Sequence, residues 1–308
     1  MATIDPKLRQ ALTGISGILV TPFDADDAIA PQRLKPVVER AVGAGVHMLV
    51  ANGNTGEFYS LTTREAEAMV HAAAEHIAGR VPLIGGVGRS INDACALARA
   101  SRAAGAAVLM VHQPPDPFVS PRGVVAYVER VAEAGGGLPL MLYLRNDAIG
   151  PDAITALCRV PGVAGVKWAS PTPLKLAEAI RRGDPSIVWV CGLAEPWAPP
   201  LYAVGARGFT SGLINVWPAH SVAIHAALDA GDYGRAMQLI DVMAGFEEIR
   251  AEEQNGANVS GVKAALRMMG NDCGPTRPPA AWPLSDAQAQ KMRRLLESWK
   301  LVPADRAA

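Results

Sequence analysis

The sequence predicts a (β/α)8 barrel followed by a helical carboxy-terminal region. Three observations carry this. Eight short apolar runs begin near Ile15, Val46, Val81, Ala106, Leu138, Val163, Ile187 and Arg207, and runs of this length bounded by turn residues read as buried strands. Alanine-rich stretches with helical periodicity separate them, and strands alternating with helices make βαβ units and a parallel sheet. The repeat averages somewhat under 30 residues, so eight units are complete by about residue 212, within the roughly 250 residues of a typical (β/α)8 barrel.

The helix starts are legible in order. Thr62-Thr-Arg-Glu65 is a capping box, Ser90-Ile-Asn-Asp93 and Pro151-Asp152 open two further helices, and Ser120-Pro121 sets a hydroxyl cap before a first-turn proline. Gly45, Gly79, Gly105 and Gly135 close helices. A doubly wound open sheet is the main rival, and it usually carries a glycine-rich phosphate turn after its first strand. Gly17-Ile-Leu-Val-Thr-Pro-Phe23 leads to no such turn, and Gly85-Gly-Val-Gly88 lacks the third glycine. Beyond the eighth strand, 218–230, 233–253, 259–269 and 285–300 read as helices, with a proline-rich loop over 274–283. The expected organisation is a barrel over 1–230, a helical region over 231–302 packed on it, and a frayed tail over 303–308.

Half of the 308 residues are hydrophobic and 19% are charged, with Lys+Arg equal to Asp+Glu. This is a globular composition without the basic surplus of a nucleic-acid or anionic-membrane binder. The longest apolar runs fall far short of a membrane span, and the first residues lack a signal-peptide pattern. Cys95, Cys158, Cys191 and Cys273 are scattered, as reduced thiols of a cytoplasmic protein would be.

In such a barrel the active site lies at the carboxyl ends of the strands. The fifth run ends at Tyr143 and the sixth at Lys167. Burial disfavours the ammonium form of a lysine, lowers its pKa and makes it a nucleophile toward a carbonyl. A phenol on the neighbouring strand can carry protons for it. The competing structural roles are a salt bridge from Lys167 to Asp147 or Glu195 and a core tyrosine with a satisfied hydroxyl. The second run ends in Asn52-Gly-Asn-Thr-Gly-Glu57, where Gly53, Asn54 and Thr55 can offer N–H and side-chain groups to a carboxylate; on the motif alone, an ordinary polar loop is the favoured reading. Arg145 follows Tyr143 by two. Gly192 and Ser211, at the ends of the seventh and eighth runs, are small enough to leave room for a ligand. His112 ends the fourth run, as a pocket residue or a satisfied loop histidine. His71 with His76, and His220 with His225, are five apart and do not share a helix face, so neither pair suggests a metal site, and no cofactor is expected.

At these positions the chain resembles the dihydrodipicolinate synthase / N-acetylneuraminate lyase superfamily. The resemblance rests on Val20-Thr-Pro-Phe23, Gly53-Asn-Thr-Gly-Glu57, Tyr143, Gly165-Val-Lys167, Asn215 and Pro218, and runs from about Gly14 to Pro283. It implies a (β/α)8 barrel with a helical tail, a homo-oligomer (tetramer or dimer), a Schiff base from Lys167 to a 2-oxo acid, proton relay by Tyr143, and carboxylate binding by Asn54 and Thr55. Several stretches are similar to 5-dehydro-4-deoxyglucarate dehydratase: 52–61, 82–88, Tyr143-Leu-Arg-Asn146, Val259-Ser-Gly-Val-Lys-Ala-Ala-Leu-Arg267 and Gly274-Pro-Thr-Arg-Pro278. Lysine-biosynthetic synthases carry an arginine where this chain has Ala148, and an aromatic pair with a tyrosine where it has Gln113-Pro-Pro-Asp-Pro-Phe118. The expectation is a Schiff-base lyase that dehydrates a deoxy sugar acid. The alternatives are a 2-oxo acid aldolase or condensing synthase, a metal-dependent aldolase using Glu57, His112, Asp147 and Glu195, and a non-catalytic sugar-acid-binding barrel.

Overall fold

The computed structural model describes residues 4–303; the expected frayed tail falls, beyond residue 303, outside the described residues. Eight parallel strands close into a barrel in sequence order. They are β1 (Ile15–Ile18), β2 (Met48–Ala51), β3 (Leu83–Val87), β4 (Val108–His112), β5 (Leu140–Leu144), β6 (Val163–Trp168), β7 (Val188–Cys191) and β8 (Phe209–Ser211). A short helix, α1 (Pro6–Leu12), precedes them. The outer ring is α2 (Lys35–Gly43), α3 (Thr63–Ile77), α4 (Ile91–Ala103), α5 (Pro121–Gly135), α6 (Pro151–Cys158), α7 (Pro173–Arg182), α8 (Ala194–Ala203) and α9 (Pro218–Asp229). Three more helices follow: α10 (Tyr233–Ala251), α11 (Asn258–Met268) and α12 (Asp286–Ser298).

Side chains alternate across each strand, which splits the apolar residues into two cores. Val166, Trp168, Trp189 and Cys191 face outward and pack under the helices. Ile18, Met48, Val50, Ile84, Val108, Met110, Met141, Val188 and Val190 face inward and fill the barrel, and Leu8, Ala11 and Leu12 of α1 plug its lower end. The sequence reading did not anticipate α1. Its start is nonetheless marked: Asp5 accepts from the N–H groups of Lys7 and Leu8, with Pro6 in the first turn.

The expected caps are present. Thr62 and Glu65 form a reciprocal capping box, Ser90 caps α4 and Ser120 caps α5. The shortest pairing in the barrel is between β7 and β8, which share one register pair, Cys191↔Phe209. On the other side of β8, Asn215 acts as a staple. Its side chain accepts from Val20 N–H (3.2 Å) and donates to Ile18 O and Gly212 O (2.8 Å each), while its own carbonyl accepts from Arg40 (2.8 Å). α10 packs on α8 and α9, and α11 lies against the 3-10 turns Asn54–Gly56 and Leu213–Asn215. The carboxy-terminal helices therefore reach the same end of the barrel as the carboxyl ends of the strands.

Candidate active site

A cleft of about 980 Å³ opens at that end, lined by Ile18, Thr55, Tyr143, Lys167, Gly192 and Thr210 among others. Lys167 and Tyr143 sit side by side on β6 and β5 as a register pair. The ammonium nitrogen lies 3.8 Å from the centre of the phenol ring. Lys167 is 3% exposed, and burial, assisted by the charge of Arg145, brings its pKa down to about 7. Asp147 is engaged instead with Lys175 (3.4 Å) and Thr172 (2.7 Å), and Glu195 with Ser211 and Ser221 (2.6 Å each). Among the described residues, no carboxylate lies within 4.0 Å of the Lys167 amine. Neither of the competing salt bridges forms, and the lysine is a buried amine facing a cleft.

Tyr143 is buried, and that burial pushes its phenol up to about 12; it stands ready as a proton donor. Asn54 Nδ2 donates to its oxygen at 3.0 Å, while Asn54 Oδ1 is buried without a partner. An amide in this place orients the phenol and supports its anion. It cannot pass a proton on as a hydroxyl can.

The loop bearing Asn54 and Thr55 is tightly built. Its flanks, Asn52 and Glu57, are non-glycine residues with φ of 60° and 55°. The Asn52 side chain donates to Ala66 O (2.9 Å), and Thr21 Oγ1 donates to Gly56 O (2.6 Å). His112 Nε2 donates to Asn52 O at 2.9 Å, with the ring stacked on Phe58 at 4.3 Å. Burial lowers the His112 pKa to about 3, so it is a neutral, satisfied histidine that supports the loop beside Tyr143. Gly53 serves packing: a Cβ there would lie 2.4 Å from Ile18 Cγ2. Gly192 has a similar role beside Lys167, since its Cβ would fall 2.9 Å from Lys167 Cγ and 2.8 Å from Ala169 Cβ.

Ser211 departs from expectation. Its side chain faces away from the cleft and donates to Glu195 behind the sheet; alternation on β8 gives the cleft Thr210 and then Gly212 instead. Glu195 is itself wholly buried there, with burial and the charge of Glu247 raising its carboxyl to about 7.

Arg145 follows the last residue of β5 and lines the cleft mouth. Its N–H donates to Gln113 Oε1 at 2.8 Å. Tyr59, beside it, was not singled out from the sequence, although it stands two residues past Glu57. The opposite wall was also missed. It comes from the turn between α10 and α11, where Glu253, Gln254 and Asn255 have φ of 52°, 57° and 68° and line the cleft together with Arg250 and Asn258. Nothing in the spacing of the sequence links residues 250–258 to Lys167; only the docking of the carboxy-terminal helices does. Among the described residues no group of three or more His, Cys, Asp or Glu could hold a metal ion.

A family model described as the dihydrodipicolinate synthetase family matches residues 11–299. The chain belongs to that family. It is similar to a probable 5-dehydro-4-deoxyglucarate dehydratase of Rhizobium rhizogenes at 30% identity, over 94% of this chain and 96% of the relative. A protein of the same description from Cereibacter sphaeroides is 32% identical, over 98% of this chain and 100% of the relative. Among solved structures, dihydrodipicolinate synthase from Bacillus clausii superposes with a TM-score of 0.91 at 35% identity, covering 95% of this chain and 99% of that one. As a member of this family the protein is a lyase built on a (β/α)8 barrel. No helix among the described residues is long and apolar enough to cross a membrane.

Proposed function

We propose that the protein is a class I, Schiff-base-forming lyase that dehydrates a deoxy sugar acid such as 5-dehydro-4-deoxyglucarate. The observation that carries this reading is the Lys167–Tyr143 pair, a buried amine without a counter-charge beside a protonated phenol. The amine adds to the C2 ketone of a 2-oxo acid, and loss of water gives a protonated imine. That imine is an electron sink, so a proton leaves C3 to form the enamine. The enamine electrons then expel the C4 hydroxyl, which departs as water with a proton from a nearby acid. Hydrolysis of the imine returns Lys167. For a diacid, the distal carboxylate leaves as carbon dioxide before that hydrolysis: the electrons of its bond pass through the new C3–C4 double bond into the imine, and the resulting dienamine is reprotonated.

The substrate end of the reading rests on the cleft. It is far roomier than pyruvate needs, and it carries an arginine at one side and the amides of Gln254, Asn255 and Asn258 at the other. Arg145 suits a distal carboxylate in a bidentate pair, and neutral amides suit hydroxyls. The names of the dehydratase relatives point the same way. The four residues considered for a metal-dependent aldolase go separate ways: Glu57 pairs with Lys263, His112 packs on Phe58, Asp147 pairs with Lys175, and Glu195 lies behind the sheet.

The structural likeness to dihydrodipicolinate synthases favours a second reading, condensation of pyruvate with an aldehyde. Ala148 and the tyrosine-free stretch 113–118 weigh against it. The test is direct. Purified protein given 5-dehydro-4-deoxyglucarate should consume it with release of carbon dioxide, and should leave pyruvate plus aspartate semialdehyde nearly untouched. The reverse pattern would replace the dehydratase reading with the synthase. We also expect a homo-oligomer, as the resemblance implies, and a cytoplasmic location, in keeping with the scattered cysteines; Phe118 and Leu174, 93% and 83% exposed, are candidates for the oligomer contacts.

A further inference from the structure

Glu57 ends the carboxylate loop in a left-handed conformation (φ 55°), at the edge of the cleft, and its carboxylate reaches into the carboxy-terminal region. There Lys263 Nζ of α11 lies 2.5 Å from Glu57 Oε1, with both side chains essentially sealed from solvent at 0% and 3% exposure. The N–H of Arg277 donates to Glu57 Oε2 at 2.8 Å. Lys263 also donates to Pro275 O (2.7 Å) and sits 4.3 Å from the centre of the Phe23 ring, where the Arg277 guanidinium also rests at 4.2 Å. The Arg277 side chain binds Glu65 (2.7 and 3.0 Å), Ser60 O (3.0 Å) and Asp27 (2.9 Å). Val20-Thr-Pro-Phe23, Gly53–Glu57, 259–267 and 274–278, separate in sequence, thus meet at one knot behind the loop.

We propose that Glu57 and Lys263 are a positioning pair, holding the Asn54–Gly56 turn in the shape that binds the carboxylate of the 2-oxo acid, so that the carboxy-terminal helices set substrate affinity. This rests on the proposed chemistry at Lys167, because the turn matters only if a 2-oxo acid is bound beside that residue. The reasoning is conformational. A non-glycine residue in left-handed backbone persists where its surroundings over-determine it. Besides the 3-10 turn's own backbone bonds, Glu57 is fixed by Lys263 and by the N–H of Arg277. Breaking a buried pair leaves an uncompensated charge, which the loop relieves by turning Glu57 toward water and carrying Thr55 out of place. Lys167 and Tyr143, held by their own strands, stay where they are. The signature is therefore weaker substrate capture with intact reactivity at saturation.

The experiment is borohydride trapping of pyruvate on the whole protein, followed by intact mass across a range of pyruvate concentrations. Lys263→Met should raise the half-saturating pyruvate concentration about tenfold or more, with the trapping rate at saturation within about twofold of wild type. Glu57→Gln keeps volume and one of the two acceptor oxygens while removing the charge, should fold even if Lys263→Met does not, and should raise half-saturation about threefold or more. Leu157→Ala in α6, remote from the loop, serves as a control that lowers Tm without moving half-saturation. A folded Lys263→Met or Glu57→Gln protein with unchanged half-saturation would overturn the pair's role. So would a fall in the saturated rate with half-saturation unmoved, or a shift of half-saturation in Leu157→Ala equal to theirs. If wild type traps no 2-oxo acid at Lys167, the reading of the site itself falls, and this proposal with it.

Discussion

At the scale of single residues, the site works by withholding partners. Lys167 has no carboxylate near it, so its charge is lost near neutrality: burial sets a pKa of about 7 against an ordinary 10.5. In the proposed chemistry the free amine is the reactive form, so the rate of imine trapping should rise with pH through about 7 and level off above it. A rate still climbing toward pH 10 would mean an unperturbed lysine. Tyr143 is held at the other extreme, as a phenol that keeps its proton. Tyr143→Phe should lower kcat by about 10²–10⁴-fold, the usual contribution of a general acid–base group, while pyruvate still binds; near-normal kcat would remove it from the chemistry. Arg145→Ala should raise KM for a diacid about 10–100-fold, since a charge-assisted hydrogen bond contributes roughly 1.5–3 kcal/mol, and should spare a monoacid. Equal loss on both would make Arg145 structural. Lys167, Tyr143 and Arg145 were legible because a charged or polar residue at the end of an apolar run is conspicuous. Tyr59 was not, because it lies inside a motif whose other members drew the reading.

Among the elements, strand and helix positions were legible because apolar runs, caps and glycines agree locally. The observed strands begin within two residues of the expected starts. The helix α1 was missed because Asp5-Pro6 was read only for targeting, and seven residues show little periodicity. Side-chain direction was harder. Ser211 faces Glu195 and not the cleft because β8 is only three residues long, and one position of register decides which side each residue faces. Asn215, known from the sequence only as a mark of resemblance, acquires a physical task as the staple between β8 and β1. Asn215→Ala strands the Val20 N–H and removes the donor to Ile18 O and Gly212 O. It should cost about 2–4 kcal/mol of stability, read as a lower denaturation midpoint at unchanged m-value; an unchanged midpoint would mean that other groups close the seam.

For the molecule as a whole, the sequence separates a barrel from a helical tail, whereas the structure joins them at the active site. α11 brings Lys263 to Glu57 at the end of the Gly53–Glu57 loop, and the turn before it supplies one wall of the cleft. Neither was legible, since contacts between residues so far apart in sequence, 206 positions for Glu57 and Lys263, leave no periodic trace. The expected oligomer is checked by light scattering, where a mass of one 32.3 kDa chain would contradict it. The central claim is that Lys167 carries the chemistry. Borohydride reduction in the presence of a 2-oxo acid, followed by peptide mapping, tests it most directly. The account predicts one added substrate mass on the peptide containing Lys167, absent from a folded Lys167→Ala protein. An unmodified Lys167 under saturating 2-oxo acid, or an adduct on another lysine, would contradict it.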